Sequence, residues 1–373
     1  MFQRSLLKII KEKLFDGKVI VLMGPRQVGK TTLLKELSKE TEQTLWLNGD
    51  DPDTQVLFDG ITTARFKSII GINKLLVIDE AQQIKNIGLK LKLVADELKE
   101  VQVVATGSSS FDLANEINEP LTGRKWEYQM YPMAFAEMVQ HHGLLEELKL
   151  LPHRMVFGYY PEVVTNNGKE VDFLKQLSDS YLFKDILIWN KIKKSDKVIK
   201  LLQALAFQVG HQVSYNELGR ITGLNNETVE SYIQLLEQAF VVFRMSSLNR
   251  NLRNELKKSK KIYFYDNGIR NTLIANFNHL ELRNDVGALW ENFIISERQK
   301  HLAYNQKYAN KYFWRTLAQQ EIDYIEEREG KLFAYEFKWN SKAKARFPKS
   351  FLTAYPETET KVITPDNFET FVN

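Results

Sequence analysis

The chain contains no cysteine. Disulfides, thiolate-bound zinc and cysteine nucleophiles are therefore excluded, and a reducing compartment fits. It also lacks an apolar run long enough to span a bilayer. The stretch VIVLM (19–23) is too short for the core of a secretion signal and leads into a glycine loop, so it reads as a buried strand. A cytoplasmic protein with no membrane partner is the expectation. No internal repeat and no long low-complexity linker interrupts the chain. An excess of one charge is nearly missing as well: the net charge is only +4, too slight to argue for a polyanionic partner.

What is present points to a folded protein of several parts. An apolar fraction of 43% over 373 residues is enough for two or three domains and too much chain for one typical core. The positive charge is clustered. RNLRNELKKSKK (250–261) sets six cations against Glu255, and KIKKSDKVIK (191–200) and KAKARFPK (342–349) are also basic. Such runs read first as solvated faces and second as contacts to a nucleic-acid backbone, so DNA is the partner they suggest.

The hydrophobic pattern divides the chain. Phe2, Leu6, Leu7, Ile10 and Leu14 lie at helical spacing and predict an amphipathic helix over 2–15. Short apolar runs then alternate with helical segments: KVIVLM (18–23), TLWLN (44–48), KLLVID (74–79) and VQVVAT (101–106). This rhythm predicts a parallel sheet flanked by helices. The pattern turns mainly helical until about 240 and mixed from 261 onward. The expected division is 1–138, 139–245 and 246–373.

GPRQVGKT (24–31) matches G-x-x-x-x-G-K-[ST] between a strand and a helix. Gly24 and Gly29 let the backbone curl, so that the loop Gly24, Pro25, Arg26, Gln27, Val28, Gly29 and the helix start to Thr32 wrap a phosphate with their N–H groups, Pro25 shaping the turn without donating. Lys30 is expected at the β- and γ-phosphates of ATP, and Thr31 at Mg²⁺. LLVIDE (75–80) ends an apolar strand in two carboxylates where ligands gather in open α/β sheets. Asp79 is expected to hold Mg²⁺ through water, and Glu80 to polarise the attacking water. The next strand ends in ATGSSS (105–110), where Thr106 or Ser108 reads as a γ-phosphate sensor or as a helix-capping loop. Arg124 in TGRK (122–125) reads as a transition-state arginine, acting in its own chain or in a neighbouring subunit of a homo-oligomer, or as a surface ion pair.

SYNELGRITGLNNETVESYIQLLEQAFVV (214–242) predicts helix, glycine turn, helix. Its expected core is Leu218, Ile221, Leu224, Val229, Ile233 and Leu236, with Asn225 and Asn226 as candidate caps. The spacing has a winged-helix character. The second helix carries Glu227, Glu230 and Glu237 and no cation, which argues against insertion into a DNA groove.

The last motif is EIDYIEEREGKLFAYEFKW (321–339). Strand alternation puts Leu332, Ala334, Glu336 and Lys338 on one face, and Phe333, Tyr335, Phe337 and Trp339 on the other, which belongs in a core. With the turn at Glu329-Gly330, Asp323 lies opposite Glu336. Facing carboxylates destabilise a sheet unless a cation lies between them. Lys338 then either orients a water beside a metal or serves as a simple counter-ion to Asp323. Hard oxygen ligands would favour Mg²⁺ or Mn²⁺.

The ordered set of motifs resembles a family: the AAA-type ATPases of bacteria and archaea with a C-terminal domain of unknown function, family 4143. The resemblance covers nearly the whole chain. It rests on GPRQVGKTTLL, LLVIDEAQ, ATGSSS, LTGR followed by YPMAFAEM, KIYFYDNGIRN, GALWENFI, and EIDYI with YEFKW. It implies a P-loop NTPase parallel sheet, a helical, winged-helix-like middle and a C-terminal α/β fold like the PD-(D/E)xK, or restriction-endonuclease-like, nucleases. It also implies Asp323, Glu336 and Lys338 as the C-terminal centre, with Glu291 as fourth member and Glu297 as its rival. The function expected is slow Mg-ATP hydrolysis coupled to a nuclease-like domain acting on nucleic acid. The alternative is a switch that binds DNA or a protein without cutting, since a nuclease fold can persist without activity.

Overall fold

The computed structural model describes residues 2–107, 117–179, 195–249, 259–343 and 345–373. The chain folds as two compact units. One is Met1–Pro132 with Gln238–Phe240, and the other is Met133–Glu237 with Val241–Asn373. Among the described residues, no helix is long and apolar enough to cross a membrane.

The first unit is built on a parallel sheet. Its strands are β1 (Val19–Met23), β2 (Thr44–Asn48), β3 (Leu75–Asp79), β4 (Gln102–Gly107) and β5 (Lys125–Gln129), in the order β2-β3-β4-β1-β5. All four runs read as strands from their apolar residues are strands. The three central ones are buried along their whole length, as expected when helices cover both faces. Strand β5 (KWEYQ) is half-exposed at the sheet edge, and its mixed composition hid it from a search for apolar runs. Strand β4 lies between β1 and β3. The C-terminal ends of these three strands therefore meet at one edge. The first helix is shorter than its apolar spacing predicts: it covers Ser5–Lys11.

The second unit holds a mixed sheet of β6 (Gln212–Val213), β7 (Val242–Ser247), β8 (Lys260–Phe264), β9 (Asn310–Arg315), β10 (Glu321–Arg328), β11 (Lys331–Phe337) and β12 (Glu359–Ile363). The order is β12-β11-β10-β9-β7-β8-β6. The boundary expected near 246 falls inside β7, whose parallel pairing with β9 joins the helical segment to the C-terminal segment in one sheet. The glycine-turn helices form as expected: Tyr215–Thr222, then Gly223 in the left-handed region, then Asn226–Gln238. Asn225 is the cap, its side chain accepting the Thr228 N–H at 2.8 Å. Ile221 departs from the expected core and is 52% exposed, while Thr222 is buried. Glu230 and Glu237 do not present bare negative charge, because Arg244 pairs with both and Lys260 with Glu230.

Strands β10 and β11 form the expected hairpin through a two-residue turn. Arg328 pairs with Lys331, and Glu329 and Gly330 both take positive φ, the backbone of a twisted hairpin turn. Both faces of this hairpin are covered. Tyr335 and Phe337 pack on Phe371. On the opposite face, Leu332 and Ala334 join Trp314, Ile322, Ile325 and Phe351 in a second apolar cluster. A bulge between Ile322 and Ile325 lets both reach that cluster and leaves Asp323 at its end.

Candidate functional site

The first site grows from the end of β1. At Gly24 a Cβ would meet the Met130 carbonyl oxygen at 2.2 Å, so only glycine allows the chain to turn there. Gly29, at φ 95°, starts the helix Lys30–Ser38. Lys30 is 5% exposed. Its Nζ donates to the carbonyl oxygens of Gly24 and Pro25 at 2.8 and 3.0 Å. Burial pulls its pKa down to about 8, although Glu80 and Asp79 oppose the fall.

The carboxylates come from the end of β3. Thr31 Oγ1 donates to Asp79 Oδ2 at 2.7 Å. From β4, Thr106 Oγ1 donates to Asp79 Oδ1 at 2.5 Å and accepts the Glu80 N–H at 3.0 Å. One chain of hydrogen bonds thus ties the loop helix, β3 and β4 together, and both Asp79 oxygens are aimed. Glu80 sits in the left-handed region at φ 50° and ψ 44°, and Gln82 Nε2 donates to its Oε2 at 2.6 Å. Of the two candidate sensors, Thr106 joins this network, and Ser108 lies outside the described residues. The hydroxyl–carboxylate pair Thr31–Asp79 is the hard oxygen set that suits Mg²⁺.

Arg124 is not brought to this edge. It precedes β5, its carbonyl accepts the Val19 N–H at the opposite end of β1, and its Nε pairs with Asp96 at 2.6 Å. Within one chain it is a structural ion pair, not a residue of the phosphate site. Two residues of the site escaped the sequence reading. Arg4 donates to the Val28 and Tyr131 carbonyl oxygens, both at 2.7 Å, and so ties the loop to the segment after β5. Asp50 follows Gly49, whose backbone packs against Glu80. Burial and then Glu80 raise the pKa of Asp50.

The second unit contains a cleft of about 380 Å³. Its walls include Glu291 from the helix Val286–Tyr304, Arg315 from β9, Glu321 and Asp323 from β10, and Glu336 with Lys338 from β11 and just beyond. The hairpin register, continued by one pair, sets Asp323 across from Glu336. Lys338 Nζ lies 2.8 Å from Glu336 and 3.6 Å from Asp323, and Asp323 Oδ2 accepts the Phe337 N–H at 2.8 Å. Burial, then Asp323, push the Glu336 carboxyl up to about 7, with Lys338 opposing.

Glu291, not Glu297, faces the cleft. Glu297 accepts the Phe135 N–H and pairs with Lys300 elsewhere in the unit. The expected metal set of Glu291, Asp323 and Glu336 is nevertheless not assembled. Among the described residues, no three His, Cys, Asp or Glu side chains converge on a point fit for a metal ion. Glu291 Oε1 is taken by Lys261 at 3.0 Å and Tyr263 at 2.6 Å, and Lys338 holds the other two carboxylates. Lys261 belongs to a basic run expected to be a solvated face or a contact to a nucleic-acid backbone, yet it is 1% exposed. Residues 250–258 of that run, and 191–194 of the run at 191–200, lie outside the described residues.

Three family models match the chain in series. They are an AAA domain over residues 16–139, domain of unknown function 8612 over 148–280 and domain of unknown function 4143 over 286–370. With the parallel sheet and its loop, the first match defines the class: the chain carries an AAA-type P-loop ATPase domain. The chain is similar to the uncharacterized protein Rv2008c of Mycobacterium tuberculosis, 26% identical over 340 residues, 89% of this chain and 73% of that protein. It is also similar to the uncharacterized protein MJ1544 of Methanocaldococcus jannaschii, 22% identical over 313 residues, 78% of this chain and 68% of that one. Among solved structures, the Walker-type ATPase PABY2304 of Pyrococcus abyssi aligns over 74% of this chain and 96% of its own, with 14% identity and a TM-score of 0.52. At that identity the likeness is one of fold.

Proposed function

We propose that the protein is a nucleotide-driven switch: the first unit binds and slowly hydrolyses Mg-ATP, and the second unit engages a partner without cutting it. The hydrogen-bonded chain Thr31–Asp79–Thr106–Glu80 beside a buried Lys30 carries the ATPase reading. The loop N–H groups and Lys30 would hold the triphosphate, with Mg²⁺ at Thr31 and Asp79. Glu80 would take a proton from the water that attacks the γ-phosphorus, as the bond to the bridging β–γ oxygen breaks to leave ADP and phosphate. Glu80→Gln keeps the size of the side chain but makes it a poor proton acceptor. Turnover of radiolabelled ATP should fall on the order of 100-fold or more, with binding of a fluorescent nucleotide unchanged. A variant that hydrolyses at the parental rate would remove Glu80 from this role.

The non-cutting reading rests on the lysines already seated among the cleft carboxylates. A second reading, metal-dependent cleavage of nucleic acid, is favoured by one observation: Glu336 is buried beside Asp323, the pairing that a cation would relieve. Incubation of the purified chain with labelled DNA or RNA and Mg²⁺ separates the two. Cleavage that disappears in Asp323→Asn would establish the second reading.

A further inference from the structure

We infer that Lys261 is a built-in cation that closes the acidic cleft of the second unit to divalent ions. The inference deepens the non-cutting reading and rests on it. Four carboxylates line the cleft: Glu291, Glu321, Asp323 and Glu336. Carboxylates held together away from water need positive charge nearby, or they protonate. In this chain β8 brings that charge. The Lys261 ammonium lies 3.0 Å from Glu291 Oε1 and 2.5 Å from Glu321 Oε1, and so bridges a helix residue to a strand residue.

Its surroundings leave it little freedom. The side chain is 1% exposed, and its ammonium lies 5.4 Å from the centre of the Phe313 ring. Two residues on, and therefore on the same face of β8, Tyr263 donates its hydroxyl to the oxygen that Lys261 already occupies, Glu291 Oε1. Oε1 of Glu291 is thus held by two donors at once.

Mg²⁺ and Mn²⁺ need several oxygens at short range in near-octahedral array. Here an incoming ion would share Glu291 with two donors on Oε1 and stand beside two ammonium groups, Lys261 and Lys338. Burial opposes the charge on Lys261, but Glu291, Glu321 and Asp323 outweigh it and raise its pKa. The lysine does not leave by losing its proton near neutral pH.

The test is thermal unfolding of the nucleotide-free full chain, titrated with Mn²⁺ into the millimolar range, for the parent, Asp323→Asn, Lys261→Met and Lys261→Met with Asp323→Asn. The parent should show no Mn²⁺-dependent rise in melting temperature that Asp323→Asn abolishes. Lys261→Met should acquire such a rise, of a few degrees, and lose it again in the double variant. Lys261→Gln repeats the test should the methionine variant not fold. A rise in the parent that Asp323→Asn abolishes would overturn the inference without recourse to either lysine variant. A folded Lys261→Met or Lys261→Gln that gains nothing would also overturn it. Mn²⁺ binding without cleavage sinks this inference alone, whereas metal-dependent cleavage sinks the non-cutting reading.

Discussion

Lys30 in the first unit and Lys261 in the second are buried to a similar degree, 5% and 1% exposed, yet their environments act in opposite directions. Around Lys30 the near partners are two backbone carbonyls, and desolvation wins: its pKa falls to about 8. Around Lys261 the near partners are two carboxylates in direct contact, and they win: its pKa rises. Burial alone therefore does not decide the charge of a lysine; the groups touching it do. The difference extends to function. On the proposed function an anion from outside completes the phosphate-loop site, whereas cations of the chain itself already stand in the hairpin cleft.

Lys30→Ala should break the first half of this contrast with the largest effect. A triphosphate that loses its principal point charge should bind on the order of 100-fold more weakly, read by fluorescent-nucleotide titration. Unchanged affinity would mean that the loop does not hold phosphate.

Glu336→Gln sharpens the second half with a smaller effect. The folded carboxyl titrates near 7, against an ordinary value of 4.5. Below 4.5 both folded and unfolded chains are protonated and the group costs nothing. Between 4.5 and 7 only the folded chain keeps the proton, so stability falls as pH rises, and above 7 the cost is complete. Relative to the parent, Glu336→Gln should gain about 2–4 °C in melting temperature at pH 8 and little at pH 4.5. A difference that does not vary with pH would show that Lys338 already cancels the charge.

The sequence revealed these two regions unequally, for physical reasons. The phosphate loop is legible because its chemistry lies in eight consecutive residues between an apolar strand and a helix. The strands with buried cores announce themselves as apolar runs, and edge strand β5 does not. The hairpin register was legible from Glu329-Gly330, since a two-residue turn fixes every pair behind it. The choice between Glu291 and Glu297 was not. Both lie on the helix Val286–Tyr304, which buries Asn292, Ser296, Glu297, Arg298 and Lys300 along with its apolar residues. A helix covered all round has no apolar stripe to show which side meets the hairpin. Lys261 was hidden by its neighbours: it ends a run of cations, and only the sheet pairing of β8 turns it inward. Arg4 and Arg124 repeat the lesson, because a lone arginine carries no mark of whether it will meet a loop carbonyl or an aspartate.

On the proposed function, a phosphate of ATP supplies the anionic contact that the two carbonyl oxygens around Lys30 do not. The most direct measurement is calorimetric titration of Mg-ATP into the full chain, in buffers of different ionisation enthalpy, from pH 7 to pH 9.5. A free lysine near pKa 8 that becomes held in its charged form must take up a proton on binding. Uptake should be near zero at pH 7, about half a proton at pH 8 and close to one by pH 9.5. Nucleotide binding with no proton uptake anywhere in that range would mean that phosphate does not hold the charge of Lys30.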